Sequence, residues 1–148
     1  MKQELLTEMA DLLNSDGVNY SVFLRVYSGV MESANGIDSI VSGLIGGDVV
    51  LGGVRDANVS EVVETLRQSF GYVGEESAGP GTSVLGSTEF SRLLGSIRDS
   101  VARLSQTAYG IKSFEFAEGH PAYPVFWEFA YLFLGNGRHV LLVGSSSD

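Results

Sequence analysis

The chain is 148 residues long, contains no cysteine, and carries 18 acidic against 9 basic side chains, a net charge of −9. That length suits a single domain, able to bury roughly 70% of the surface its unfolded form exposes; with no cysteine, a disulfide framework, a thiolate nucleophile and a cysteine-held metal are excluded. The acidity is uneven, with 12 acidic and 4 basic groups in residues 1–80 against 6 and 5 in 81–148, so the first half repels nucleic-acid phosphates and attracts a basic partner.

The opening MKQELLTEMADLL has acidic residues where a secretory leader needs an unbroken apolar core; no export signal is expected, and the chain is assigned to the cytoplasm. Leu5, Leu6, Met9, Leu12 and Leu13 recur at three- and four-residue spacing and predict a helix over 2–14, ended by Asn14, Ser15, Asp16 and Gly17. Over 18–33 two periods compete. Tyr20, Phe23, Leu24, Tyr27 and Met31 suit a helix, whereas valines 18, 22, 26 and 30 favour strand by residue type, yet those valines lie four apart, which is again one helical face. A helix is predicted over 18–33, stopped by Asn35 and Gly36, with a short helix over 38–44 after it.

Residues 37–54, IDSIVSGLIGGDVVLGGV, form the longest weakly charged stretch, but Asp38, Asp48 and five glycines argue against a membrane span. The glycines at 43, 46, 47, 52 and 53 match neither a G-K-[ST] phosphate loop nor G-x-G-x-x-G, so they read as flexible backbone or close packing and imply no cofactor. Asn58 and Glu61 form an N-x-x-E cap before Val59, Val62, Val63, Leu66 and Phe70, predicting a helix over 58–70 stopped by Gly71. Residues 74–86, GEESAGPGTSVLG, are a glycine-rich loop. Ser87 then caps a long helix over 88–108, with Phe90, Leu93, Leu94, Ile97, Val101 and Leu104 on one stripe.

Three strands close the chain, at 111–117, 125–134 and 138–144, separated by the proline-interrupted bend Gly119–Pro124 and the Asn136-Gly137 turn. If those two residues are the centre of a tight hairpin, Leu134 faces His139, Phe133 faces Val140, Leu132 faces Leu141 and Tyr131 faces Leu142. One face then carries Trp127, Phe129, Tyr131, Phe133, Val140 and Leu142. The other carries Phe126, Glu128, Ala130, Leu132, Leu134, Leu141 and Val143, so both are apolar and something must cover the second: helices, a partner, or a second copy in a homodimer. The fold class predicted is α+β, helices packed on a C-terminal antiparallel sheet.

Ser145–Asp148 with His120 or His139 hold the atoms of a nucleophilic triad, but serines at a chain end fray and no G-x-S-x-G elbow is present. The two histidines show no H-x-x-x-H or H-E-x-x-H spacing, so no metal is expected. His139 reads as a solvated or partly packed cross-strand residue. His120 reads as a loop histidine whose pKa Glu118 would raise.

The stretch HPAYPVFWEFAYLF followed by VLLVGSSSD resembles the C-terminal sheet of small acidic immunity proteins encoded beside bacterial polymorphic and contact-dependent toxins; the resemblance covers about a third of the chain. It implies a cytosolic, non-enzymatic protein that binds one cognate protein toxin and occludes its active site. For a toxin with a basic surface, the acidic residues Asp56, Glu61, Glu64, Glu75 and Glu76 are the expected contacts, with Glu118, His120 and Tyr123 added from the bend. The rival readings are a homo-oligomeric structural or regulatory domain and a small enzyme acting through His120 and nearby carboxylates.

Overall fold

The computed structural model of the chain describes residues 1–31 and 36–148. In chain order its elements are α1 (Gln3–Ser15), β1 (Ser21–Val30), α2 (Ile37–Ile45), β2 (Val50–Ala57), α3 (Val59–Phe70), α4 (Thr82–Leu85), α5 (Thr88–Thr107), β3 (Gly110–Glu118), β4 (Trp127–Leu134) and β5 (Arg138–Ser147). The clearest sequence signals gave the expected helices. Asn58 Oδ1 accepts the Glu61 amide at 2.9 Å to open α3, and Ser87 Oγ accepts the Phe90 amide at 3.1 Å to open α5.

Among the described residues, five strands form one antiparallel sheet in the order β1-β5-β4-β3-β2, where three were expected. The hairpin register is the predicted one, with Phe133 opposite Val140, Leu132 opposite Leu141 and Tyr131 opposite Leu142, and it continues to Trp127 opposite Ser146. Besides the short α4, which falls inside the expected 74–86 loop, two segments depart from the sequence reading. Residues 21–30 of the expected second helix are a ten-residue strand paired along its whole length with β5. The four-residue valine spacing is equally a multiple of two, and the outer edge of β5 supplies ten backbone partners that override the helical stripe. Residues 32–35, where that helix and its Asn35 stop were expected, lie outside the described residues. The second departure is β2, whose glycines were expected to mark flexible backbone or close packing rather than a strand. Gly53 sits at φ +61, where the register shifts between Gly52 and Arg55, so the Gly52-Gly53 pair marks a bulge in an edge strand.

The apolar side chains of the sheet divide between two clusters. On one face Val22, Leu24, Ile111, Phe129, Tyr131, Phe133 and Leu142 pack under Leu6, Met9 and Leu13 of α1, Val62, Leu66 and Phe70 of α3, and Phe90, Leu93, Ile97 and Val101 of α5. On the other, Phe114, Ala130, Leu132, Leu134, Leu141 and Val143 pack under Ile40 and Val41 of α2, with Phe23, Tyr27, Leu51 and Phe116 half-buried around them. The apolar second face therefore has a cover from its own chain, one nine-residue helix. Among the described residues no helix is long and apolar enough to cross a membrane.

β5 is a central strand and runs to Ser147, three residues past its expected end, so the terminal serines are not a frayed exit. Ser145 and Ser146 are buried, and each pairs with β1 on one side and β4 on the other. The small size of Ser146 and Gly144 has a packing cause. The Trp127 and Phe129 rings stack at 5.9 Å, and opposite them stand Ser146 and Gly144; a Cβ on Gly144 would lie 2.3 Å from the Phe129 ring. Large residues on β4 require small ones on β5.

Both sheet edges are protected. On β1, Gln3 of α1 donates from Nε2 to the Leu24 carbonyl at 3.0 Å and accepts the Val26 amide at 2.9 Å, while Asn14 Oδ1 accepts the Val22 amide at 2.8 Å. These outward groups would otherwise invite a further strand. On β2 the bulge and glycines serve the same end.

Candidate partner-binding surface

Three connections meet at one end of the sheet, the end at which Trp127, Ser146 and Val22 lie side by side. Tyr20 precedes β1, Tyr72 follows α3 and Phe126 precedes β4, and their rings contact one another at centroid distances of 6.1, 5.8 and 5.7 Å. The Trp127 indole donates to the Tyr20 hydroxyl at 2.8 Å, and burial raises the pKa of that phenol. Phe126, expected on the second sheet face, belongs to this cluster because the chain enters β4 only at Trp127; the Val125 and Phe126 amides both donate to the Ser146 carbonyl.

Around this aromatic post the glycine-rich loop is ordered by backbone bonds. Val18 and Gly79 exchange two hydrogen bonds at 3.0 Å, Glu75 and Ala78 close a turn, and Ser83 Oγ donates to Asp16 Oδ2. The result is a groove of about 270 Å³ floored by Val18, Val73 and Pro80, with Asp16, Glu75 and Glu76 on its rim. Val18 and Val73 remain 53% and 61% exposed, and none of the three carboxylates is in an ion pair among the described residues.

Glu118, His120 and Tyr123 occupy the neighbouring bend at the same end. Tyr123 is 84% exposed and Val125 49%, while Glu118 closes β3 on the surface. His120 turns inward, its side chain only 10% exposed against the edge of the Phe116 ring. Its Nδ1 accepts the Ala122 amide at 2.9 Å, which leaves the proton on Nε2, 3.5 Å from Glu128 Oε2. The expectation that Glu118 raises its pKa is corrected on both counts: burial dominates and lowers it, and the carboxylate that opposes the shift is Glu128. Ser145 stands opposite Glu128 in the β4–β5 register. His120 and Ser145 each neighbour Glu128, but the lone pair of the neutral imidazole is occupied by the Ala122 amide, so the ring has none with which to take a hydroxyl proton.

The remaining predicted contacts lie apart from this end. Asp56 sits one pair before the end of the β2–β3 ladder, opposite Lys112, and pairs with it, Glu61 in the first turn of α3 pairs with Arg55, and Glu64 pairs with Arg67 at 2.6 Å. Arg55 and Arg67 hold the Glu61 and Glu64 carboxyls below the usual range. Each of these three acids carries its own cation, so their pull on a basic partner is reduced. His139, expected to be solvated or partly packed, is fully buried, with Nδ1 accepting the Gly135 amide and Nε2 facing the Met31 carbonyl at 3.2 Å.

Sequence reasoning missed Asp16, Val18 and Val73. Asp16 read as a helix stop and Val18 as part of a helical stripe; only the pairing of residue 18 with residue 79 brings them to Glu75 and Glu76. Compared with protein-family models, with characterised proteins and with solved structures, the chain matches none.

Proposed function

We propose that the chain is a non-enzymatic binding protein, an immunity protein of the bacterial cytosol that neutralises a cognate protein toxin by covering its active site. The observation that carries this reading is the groove at the end of the sheet: three carboxylates that form no ion pair among the described residues line it together with two exposed valines. A basic side chain is the complement of that lining, its aliphatic stem on Val18 and Val73 and its charged head among Asp16, Glu75 and Glu76. Tyr123 and Val125, exposed on the adjacent bend, extend the contact with apolar area, and an aromatic anchor within a polar rim is a common interface composition. The net charge of −9 adds long-range attraction. The C-terminal resemblance points to the same class.

The test is protection. A bacterial host expressing the toxin-like product of the adjacent reading frame is expected to grow when this chain is co-expressed, and to lose that protection with Glu75→Lys and Glu76→Lys together. Growth arrest despite abundant folded chain would overturn the reading. A second reading, self-association, draws on the half-buried Phe23, Tyr27, Leu51 and Phe116 that surround α2 on the second face. Sedimentation of the isolated chain separates the two, since an inhibitor of this kind sediments as a monomer and the rival as a dimer.

A further inference from the structure

We infer that His120 is a proton-operated latch on the β3–β4 bend: neutral, it holds residues 119–126 in place through the Ala122 amide; protonated, it lets go of that amide and turns to Glu128, shifting the segment that presents Tyr123 and Val125. The bend is anchored at its two ends, where Gly119 lies against the Asp48–Val49 backbone and where the Phe126 ring packs on Tyr20 and Tyr72 while the Val125 and Phe126 amides donate to the Ser146 carbonyl. Between those ends, among the described residues, the Ala122 amide on His120 Nδ1 is the hydrogen bond that ties its middle.

The geometry sets two states against each other. In the neutral ring Nδ1 is an acceptor and takes the Ala122 N–H at 2.9 Å; a proton arriving from solvent at Nδ1 puts a donor against a donor, and that bond cannot survive. At the other nitrogen, Nε2 is buried without a hydrogen-bond partner, and Glu128 Oε2 at 3.5 Å is just beyond good bonding distance. A ring that has lost Ala122 gains by closing this gap as a charge-assisted bond. Glu128 is the charged group that faces the imidazole from β4; from β3 it meets the uncharged Phe116 ring, and Glu118, nearer in sequence, forms no ion pair with it among the described residues. Burial holds the ring neutral under ordinary conditions, so release is an acid response. The device needs no partner and stands whether or not the chain binds a toxin.

Nuclear magnetic resonance of the full chain tests it, following the imidazole and the backbone amides from pH 8 to pH 4.5. The expected result is an Nε2-protonated tautomer at high pH and a His120 midpoint below that of an ordinary histidine. The Ala122 amide and residues 119–126 should then shift with the same midpoint. In Glu128→Gln, which touches only a half-exposed carboxylate, the midpoint should move to lower pH because the stabilising charge is gone. In His120→Phe the acid shift of residues 119–126 should vanish. A His120 titration that leaves the Ala122 amide unmoved would overturn the latch, as would the same bend transition in His120→Phe or an unchanged midpoint in Glu128→Gln.

Discussion

Two glycines with opposite surroundings test the packing. Gly144 lies under the Phe129 ring, where an added methyl has no room, so Gly144→Ala is expected to cost about 1–3 kcal/mol by overpacking. Gly95, within α5, has nothing within 4 Å of the same position, and Gly95→Ala should stabilise by about 1 kcal/mol through helix propensity alone. Denaturant midpoints for the pair check both signs; equal shifts would contradict the cross-strand packing described for β4 and β5. His120 gives a third expectation. Its folded pKa lies below the unfolded value of about 6.5, chiefly through burial, so the folded state takes up its proton less readily. The stability it contributes is complete above that unfolded value and is lost as pH falls through the folded one. The melting-temperature gap between the wild type and His120→Gln should therefore narrow on acidification, and a constant gap would contradict the assignment. At this scale the sequence was a partial guide. Serines 145 and 146 and His139 are polar residue types, and all three are buried: the serines because β5 is paired on both sides, with Ser146 set opposite Trp127, and His139 because it finds backbone partners at both nitrogens.

Among the elements, α1 does more than cover the core. Its Gln3 and Asn14 side chains complete the hydrogen bonding of the β1 edge, so Gln3→Ala is expected to destabilise by about 1–2 kcal/mol and to promote edge-to-edge association. Chemical denaturation with light scattering measures both effects; a variant as stable and as monomeric as the wild type would refute the edge role. Asn58→Ala should cost about 1 kcal/mol by uncapping α3. What made elements legible was local information. The caps at Asn58 and Ser87, the apolar stripe of α5 and the Asn136-Gly137 turn each lie within a few residues of what they specify, and the hairpin register followed from the turn. β1 and β2 were missed because their partners are remote: β1 pairs with a strand more than a hundred residues away, and β2 is an edge whose alternation a bulge interrupts. The groove failed to read for the same reason, since Asp16 and Val18 meet Glu75 and Glu76 only through a bridge between residues 18 and 79.

For the whole molecule, the acidic excess is unevenly compensated. Asp56, Glu61 and Glu64 are matched by Lys112, Arg55 and Arg67, whereas Asp16, Glu75 and Glu76 gather at the opposite end of the sheet with no ion-pair partner among the described residues, beside exposed Val18, Val73, Tyr123 and Val125. Charge exposed in this way acts through solvent and is screened over about 8–10 Å at physiological salt. Removing the groove carboxylates should therefore weaken a basic partner far more than removing the paired ones: Glu75→Gln with Glu76→Gln is expected to lower affinity by tenfold or more, roughly 1.4 kcal/mol, and Glu61→Gln with Glu64→Gln to change it little. The most direct measurement is the affinity of the chain for the purified product of the adjacent reading frame, followed by calorimetry from low to high salt for the wild type and for both double variants. The account predicts binding that weakens steadily with salt, with a slope flattened by the Glu75 and Glu76 changes alone. Binding that is indifferent to salt, or that responds equally to the two pairs of substitutions, would contradict it.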